Sequence, residues 1–204
     1  MENVRNLLLP QYTFSAMSKN APSENTNLSD DQILIKQVAN GSHVAMEQII
    51  STWKDGLFRF FDRSLRNKAD AEDLTQRVFI RVYQSASRYQ PKAKFSTYLF
   101  TIARNLLIDE IKKNNRQQMS IYSDELSQGQ SNEQNDEVKE WNEILDLAMK
   151  EIPEYYSTAL LLRVQRELTY QEIADIMKVS ESRVKTWIHR ARSHLKKTLL
   201  NFRK

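Results

Sequence analysis

The chain contains no cysteine and only three glycines and four prolines among its 204 residues. Without cysteine there is no disulfide, no thiolate metal ligand and no cysteine nucleophile. Glycine and proline interrupt helices and build turns, so their scarcity predicts long helices and an all-α fold. No apolar run approaches the roughly 20 residues that span a bilayer, so a membrane protein is not expected.

Groups that could carry out catalysis are also scarce. The three histidines, at positions 43, 189 and 194, have no metal-ligand spacing, and there is no glycine-rich phosphate loop. Asp70, Glu72 and Asp73 form an acidic cluster, but helix capping and partner contact explain it better than a metal ion. The sequence therefore predicts no enzyme activity, no cofactor and no metal site.

Charge and composition divide the chain into four segments. Residues 1–27 carry no net charge, and their Ser, Asn and Pro content predicts a flexible tail without an export signal. Residues 28–116 and 141–204 have net excesses of five and four positive charges, whereas residues 117–140 have an excess of five negative charges. The acidic segment lacks helical periodicity, so we interpret it as a flexible linker between two basic helical domains.

Residues 169–195 have the pattern of a helix-turn-helix. Thr169 and Glu172 form a capping box that begins a helix ending at Met177, and after a break at residues 178–180 Ser180 can cap a second helix over residues 181–195. One face of that second helix is apolar and is expected to pack inward; it consists of Val184, Trp187, Ile188, Ala191 and Leu195.

The opposite face of the second helix carries hydrogen-bonding groups suited to base edges and cations suited to phosphates. Its members are Ser182, Arg183, Lys185, Thr186, His189 and Arg190. This face predicts a helix that reads the major groove of DNA. The alternative is an ordinary solvated basic helix.

Four helices are predicted in the N-terminal domain. The first begins at a capping box formed by Ser29 and Gln32 and ends at Gly41. The second covers residues 42–66, the third is capped by Asp70 and ends near residue 87, and the fourth covers about residues 96–115.

The loop before the fourth helix combines two aromatic residues with three cations, which suits single-stranded nucleic acid. Phe95 is expected to anchor the loop, whereas for Tyr89 a core anchor and a surface for an unstacked base are equally supported. Exposed polar residues of the fourth helix extend the same basic surface; they are Arg104, Asn105, Asp109, Lys112 and Lys113.

These motifs, in this order, resemble those of the extracytoplasmic function (ECF) sigma factors of bacterial RNA polymerase. Residues 70–83 are similar to the family's core-binding helix and residues 95–105 to its promoter-melting segment. Residues 170–174 and 184–192 resemble its C-terminal helix-turn-helix. The resemblance implies sigma region 2 in residues 28–116, region 4 in residues 141–204, and a cytoplasmic initiation factor without a cofactor.

The resemblance also implies three binding surfaces. Asp73, Gln76, Arg77, Ile80 and Tyr83 would dock on the clamp coiled coil of the polymerase, and the C-terminal domain would rest on its flap. The minus-ten element would be melted and captured by Tyr89, Lys92, Lys94, Thr97, Arg104, Asn105, Asp109 and Lys112. The minus-thirty-five element would be read as duplex by the six polar residues of the recognition helix. An anti-sigma factor is a further possible partner.

Two residues depart from the family pattern. Arg77 stands where an acidic residue is usual, and Lys178 stands where the turn often has glycine. A polymerase-independent helix-turn-helix regulator remains the alternative function, but it leaves the aromatic and basic loop at Tyr89 without a purpose.

Overall fold

The computed structural model describes residues 29–91, 93–120, 144–145, 147–149, 151–166 and 168–201. Every regular element in these ranges is helical, which confirms the all-α class. The predicted tail and almost all of the predicted linker lie outside the described residues. Within the described ranges, no helix is both long enough and apolar enough to cross a membrane.

The described residues of the N-terminal domain form four α-helices packed around an apolar core. They are α1 (Asp30–Ala39), α2 (His43–Leu65), α3 (Lys68–Ser85) and α4 (Phe95–Ser120), with a 3-10 turn at Ala86–Arg88. Helix α2 packs on α1 and α3, and α3 packs on α4. The largest fully buried side chains of this domain are Ile35, Ile49, Leu57, Phe60, Phe61, Leu74, Phe95, Leu99, Phe100, Leu106 and Leu107.

The helix ends follow the predicted local signals in most places. Ser29 and Gln32 form the expected capping box of α1, and Gly41 turns the chain after it with φ of 88°. The predicted cap of α3 was wrong, because Asn67 accepts a hydrogen bond from the backbone amide of Asp70 at 3.2 Å. Helix α4 continues past its predicted end because no glycine or proline stops it there.

The C-terminal domain contains α5 (Glu154–Arg166), α6 (Tyr170–Met177) and α7 (Glu181–Asn201). The predicted capping box at the start of α6 is present: Thr169 Oγ1 accepts from the Glu172 amide at 3.2 Å, and Glu172 Oε2 accepts from the Thr169 amide at 2.7 Å. Helix α7 is longer than predicted. Its inward face is buried at Val184, Ile188, Ala191 and Leu195, and Trp187 is half-buried.

The turn of the helix-turn-helix has a left-handed residue at the position where the family that the sequence resembles often has glycine. Lys178 has φ of 55° and ψ of 48°, and its backbone amide donates to the Ala174 carbonyl. A residue with a Cβ atom pays about 1 kcal/mol or more relative to glycine in this conformation. The turn is therefore formed with local strain.

The two domains pack against each other. Helix α6 lies against α4, and α5 lies against α2. At the edge of this contact Lys94 Nζ is 2.9 Å from Glu172 Oε1. The helix-turn-helix domain therefore lies beside the N-terminal part of α4.

Candidate nucleic-acid interface

The loop that precedes α4 is fixed by aromatic packing and by a hydrogen bond from α1. Phe95 is 1% exposed and its ring centroid lies 5.9 Å from that of Trp53, so it is the anchor that the sequence predicted. The Gln32 side-chain amide donates to the Ala93 carbonyl at 3.0 Å. Lys92 lies outside the described residues. The position of the loop is thus set by both α1 and α2.

Tyr89 packs on the same aromatic cluster. Its ring centroid lies 4.9 Å from that of Tyr98 and 6.2 Å from that of Phe95, and burial is the main cause of its raised pKa. Tyr98 was not predicted as part of this site, although it lies between Phe95 and Phe100 in the sequence. Its hydroxyl is 2.6 Å from Ser85 Oγ, which ties the cluster to α3. Tyr89 as a whole is half-buried, and its hydroxyl is buried.

Helix α4 presents most of its predicted DNA contacts on one side of the domain. Arg104 and Asn105 are half-exposed, and Asp109 and Lys112 are exposed. Thr97 is the exception, because it is 5% exposed and its hydroxyl is buried without a hydrogen-bond partner. The prediction that Thr97 contacts DNA directly is therefore corrected: Thr97 stands two helical turns before Arg104 on the same side of α4, but its side chain is buried in this arrangement.

The outer face of α3 carries both polar and large apolar side chains. Asp73 and Gln76 are exposed, and the large side chains of Ile80 and Tyr83, about one helical turn apart, are exposed by 54% and 48%. Arg77 does not project outward with them. Its Nη1 lies 3.4 Å from Asp73 Oδ2 and 3.4 Å from the Oε2 of Glu110 on α4.

All six predicted contact residues of α7 are exposed on one face. Lys185 Nζ is 2.6 Å from Glu181 Oε1 and 5.6 Å from the ring centroid of Tyr170. The Arg190 guanidinium donates to the Tyr156 hydroxyl at 2.8 Å, and this hydrogen bond lowers the pKa of Tyr156. Two cations of this face are thus held in place before any ligand binds.

No pattern in the sequence indicates the roles of Tyr156 and Tyr170. Tyr156 lies 34 residues before its partner Arg190, so no local pattern connects the two. The one sequence feature near Tyr156 is that it follows another tyrosine, Tyr155, at the start of a helix. Both rings pack near Trp187, at centroid distances of 4.9 and 6.2 Å.

Carboxylates of the C-terminal domain lie near cations of α4 and its preceding loop. Burial by itself would raise the pKa of Glu172, but the Thr169 amide and Lys94 stabilise the charged form and the net pKa is lowered. Loss of solvation is the largest influence on Glu154 and raises its pKa, while the charges of Arg104 and Lys112 oppose this. Three predicted DNA-binding cations therefore face acidic side chains in this arrangement.

Comparison with known proteins gives two family matches. Residues 49–117 match Sigma-70 region 2, and residues 142–195 match Sigma-70, region 4. The chain is 32% identical over 176 residues to the ECF RNA polymerase sigma factor SigW of Bacillus subtilis, covering 81% of this chain and 94% of SigW. It is 34% identical over 158 residues to SigM of the same organism, covering 75% of this chain and 94% of SigM.

Solved structures show the same fold. CnrH, in complex with the cytosolic domain of CnrY, matches with a TM-score of 0.65 and 19% identity over 83% of this chain and 96% of CnrH. RpoE of Bartonella quintana, in complex with the anti-sigma factor NepR, matches with a TM-score of 0.63 and 18% identity over 75% of this chain and 95% of RpoE. The chain therefore belongs to the ECF family of RNA polymerase sigma factors, which are transcription initiation factors and not enzymes.

Proposed function

We propose that this sigma factor divides its work among three surfaces: α3 for core polymerase, the Tyr89 loop with α4 for the minus-ten element, and α7 for the minus-thirty-five element. The observation that carries the proposal is the distribution of apolar and polar side chains between the two faces of α7. Four apolar residues are buried, while all six polar residues predicted to contact DNA are exposed on the other side. A helix with that arrangement is suited to the major groove.

The polymerase surface is centred on Ile80 and Tyr83. Exposed apolar side chains next to polar ones are typical of protein interfaces, because they bury apolar area while the polar rim sets orientation. Asp73 and Gln76 supply that polar rim, and Arg77 lies at its edge. The expected partner surface is the clamp coiled coil of the largest polymerase subunit.

The minus-ten surface binds one strand rather than a duplex. An unstacked base exchanges its stacking in DNA for contacts with an aromatic surface at Tyr89, so melting follows from binding without any bond chemistry. The cations Lys92, Lys94, Arg104 and Lys112 neutralise backbone phosphates, and Asn105 and Asp109 provide hydrogen-bonding groups. Neighbouring Lys113 extends the positive charge along α4.

The division between docking and melting can be tested by transcription in vitro with core polymerase. Tyr89→Ala should leave holoenzyme formation and closed-complex binding unchanged and impair strand opening, measured with a fluorescent base in the minus-ten element. Tyr83→Ala is the matched control, because it should weaken holoenzyme formation instead. If Tyr89→Ala weakened both steps equally, the division of surfaces would be wrong, and duplex binding without polymerase would favour a conventional regulator.

The compartment and an inhibitory partner follow from the same proposal. RNA polymerase works in the bacterial cytoplasm, so we place the protein there. Both solved relatives described above are bound to another protein, which in the case of RpoE is the anti-sigma factor NepR. We therefore expect an anti-sigma factor for this chain as well. Affinity purification from its source cells, with mass spectrometry of the bound proteins, tests this expectation.

A further inference from the structure

Glu110 is the one charged residue among the described residues that is almost completely buried, at 5% exposed. It lies on α4, and none of the three proposed surfaces includes it. A buried carboxylate is costly unless it is paired and hydrogen-bonded. The contacts of Glu110 therefore indicate what it contributes.

Glu110 lies between two cations from different helices. Lys113 Nζ, from α4 itself, donates to Glu110 Oε1 at 2.7 Å, and Arg77 Nη1, from α3, lies 3.4 Å from Glu110 Oε2. Arg77 Nη1 is also 3.4 Å from Asp73 Oδ2. Charges thus alternate from Lys113 through Glu110 and Arg77 to Asp73, and Glu110 raises the pKa of Lys113.

The two ends of this network belong to different surfaces. The Asp73 side chain is 62% exposed on the proposed polymerase face of α3. The Lys113 side chain is 59% exposed and follows Lys112 on the proposed DNA face of α4. A single buried carboxylate therefore contacts a cation from the face that docks on polymerase and a cation from the face that binds DNA.

Cohesion between the helices does not require this pair. The core around α3 and α4 is already filled by buried apolar side chains such as Leu74, Val78 and Leu106. Replacing buried ion pairs with apolar residues is often neutral or stabilising, so a pair at this place is weak evidence for added stability. An apolar pair, however, would not fix the direction of two charged side chains.

We propose that Glu110 is a positioning residue that holds Arg77 against α4 and Lys113 on the DNA face, and so couples promoter-strand capture to polymerase docking. This inference rests on the proposed function of the two faces. In this arrangement Arg77 acts through Glu110 and Asp73 and is not itself a polymerase contact. That explains how a cation can occupy a position where the family usually has an acidic residue.

A double-mutant cycle tests the inference in the full-length protein. Arg77→Ala and Glu110→Ala should each lower the affinity for core polymerase about 5- to 10-fold, and holoenzymes containing them should capture a nontemplate minus-ten oligonucleotide less tightly by a similar factor. The double variant should lose no more than about 2-fold beyond either single variant, since all three break the same contact. If Arg77 touched polymerase independently of Glu110, the two losses of core affinity would multiply, and the inference would be overturned.

Two further variants distinguish a failure of the inference from a loss of folding and from a failure of the proposed function. Glu110→Gln keeps the size of the side chain, and at a temperature where it is fully folded it should still lower both affinities. A lower unfolding midpoint with unchanged affinities would assign Glu110 a purely structural role and overturn the inference. Ile80→Asp should abolish core binding, and normal binding by that variant would overturn the docking surface itself, and the inference with it.

Discussion

At the scale of single residues, the recognition face of α7 is organised by partners that lie outside it. Lys185 lies between Glu181 and the ring of Tyr170, and Arg190 donates to the Tyr156 hydroxyl. Long cationic side chains lose rotamer freedom when they bind a ligand, so holding them beforehand reduces that entropic loss. In the proposed function, these aromatic partners therefore act by positioning the two cations that meet DNA.

Arg190→Ala should weaken binding to a minus-thirty-five duplex by about 1–3 kcal/mol, because it removes a charged contact from the groove-facing side of α7. Tyr156→Phe should have a smaller effect of the same sign, since it removes only the hydroxyl that holds Arg190. Fluorescence anisotropy with specific and scrambled duplexes measures both changes. Lys197→Ala, on the same helix two turns beyond Arg190, is the control and should be nearly neutral.

The helical period was enough to predict which residues of α7 face outward, because the side-chain direction repeats every 3.6 residues. It did not reveal Tyr156 or Glu110, whose partners are 34 and 33 residues away in the chain. It also did not reveal that Thr97 is buried, because Thr97 lies two helical turns before Arg104 on the same side of α4. Contacts between elements that are distant in the chain cannot be predicted from the periodicity of a single sequence.

At the scale of elements, helix beginnings were predicted better than helix ends. The capping boxes at Ser29 and Thr169 are local and involve specific side chains, so the sequence displays them directly. The ends of α4 and α7 lacked a glycine or proline stop, and both helices extend farther than predicted. At α3 two possible caps stand three residues apart, and the earlier one, Asn67, is used.

Lys178→Gly should increase the free energy of unfolding by about 0.5–1 kcal/mol, because glycine adopts the left-handed conformation without a Cβ penalty. Chemical denaturation of the full-length protein measures the change. Lys178→Ala removes the same charge but keeps the Cβ atom, so it should give no such gain. An equal gain from alanine would show that charge, and not backbone strain, limits the stability of this turn.

At the scale of the whole molecule, the two domains that the sequence predicts on either side of a flexible linker pack against each other. Lys94 pairs with Glu172, and Glu154 lies near Arg104 and Lys112. The Lys94 side chain is 69% exposed, so this ion pair contributes little by itself, about 0–1 kcal/mol, and salt weakens it. Linker composition gave no information on this contact, because it depends on surfaces that meet only in the folded chain.

The double variant Glu154→Gln, Glu172→Gln should bind a nontemplate minus-ten oligonucleotide more tightly than the unchanged protein, by about 3- to 10-fold at low salt. Glutamine retains the capping box of α6, so the change removes charge without removing the cap. Asp175→Asn is the control. Asp175 also lies on α6, but it accepts a hydrogen bond from the Gln171 side chain, so its substitution should leave the affinity unchanged. Energy transfer between dyes on the two domains should fall in the double variant, and unchanged transfer with unchanged affinity would contradict the prediction.

The packed arrangement leaves the two kinds of surface unequally accessible. Ile80 and Tyr83 are open to solvent, while the cations along α4 face carboxylates of the other domain. In the proposed division of surfaces, the free protein can bind polymerase while its minus-ten surface is still partly covered. The recognition face of α7 is exposed throughout, so this state limits capture of single strands at chance minus-ten-like sites of a chromosome and not contact with duplex DNA.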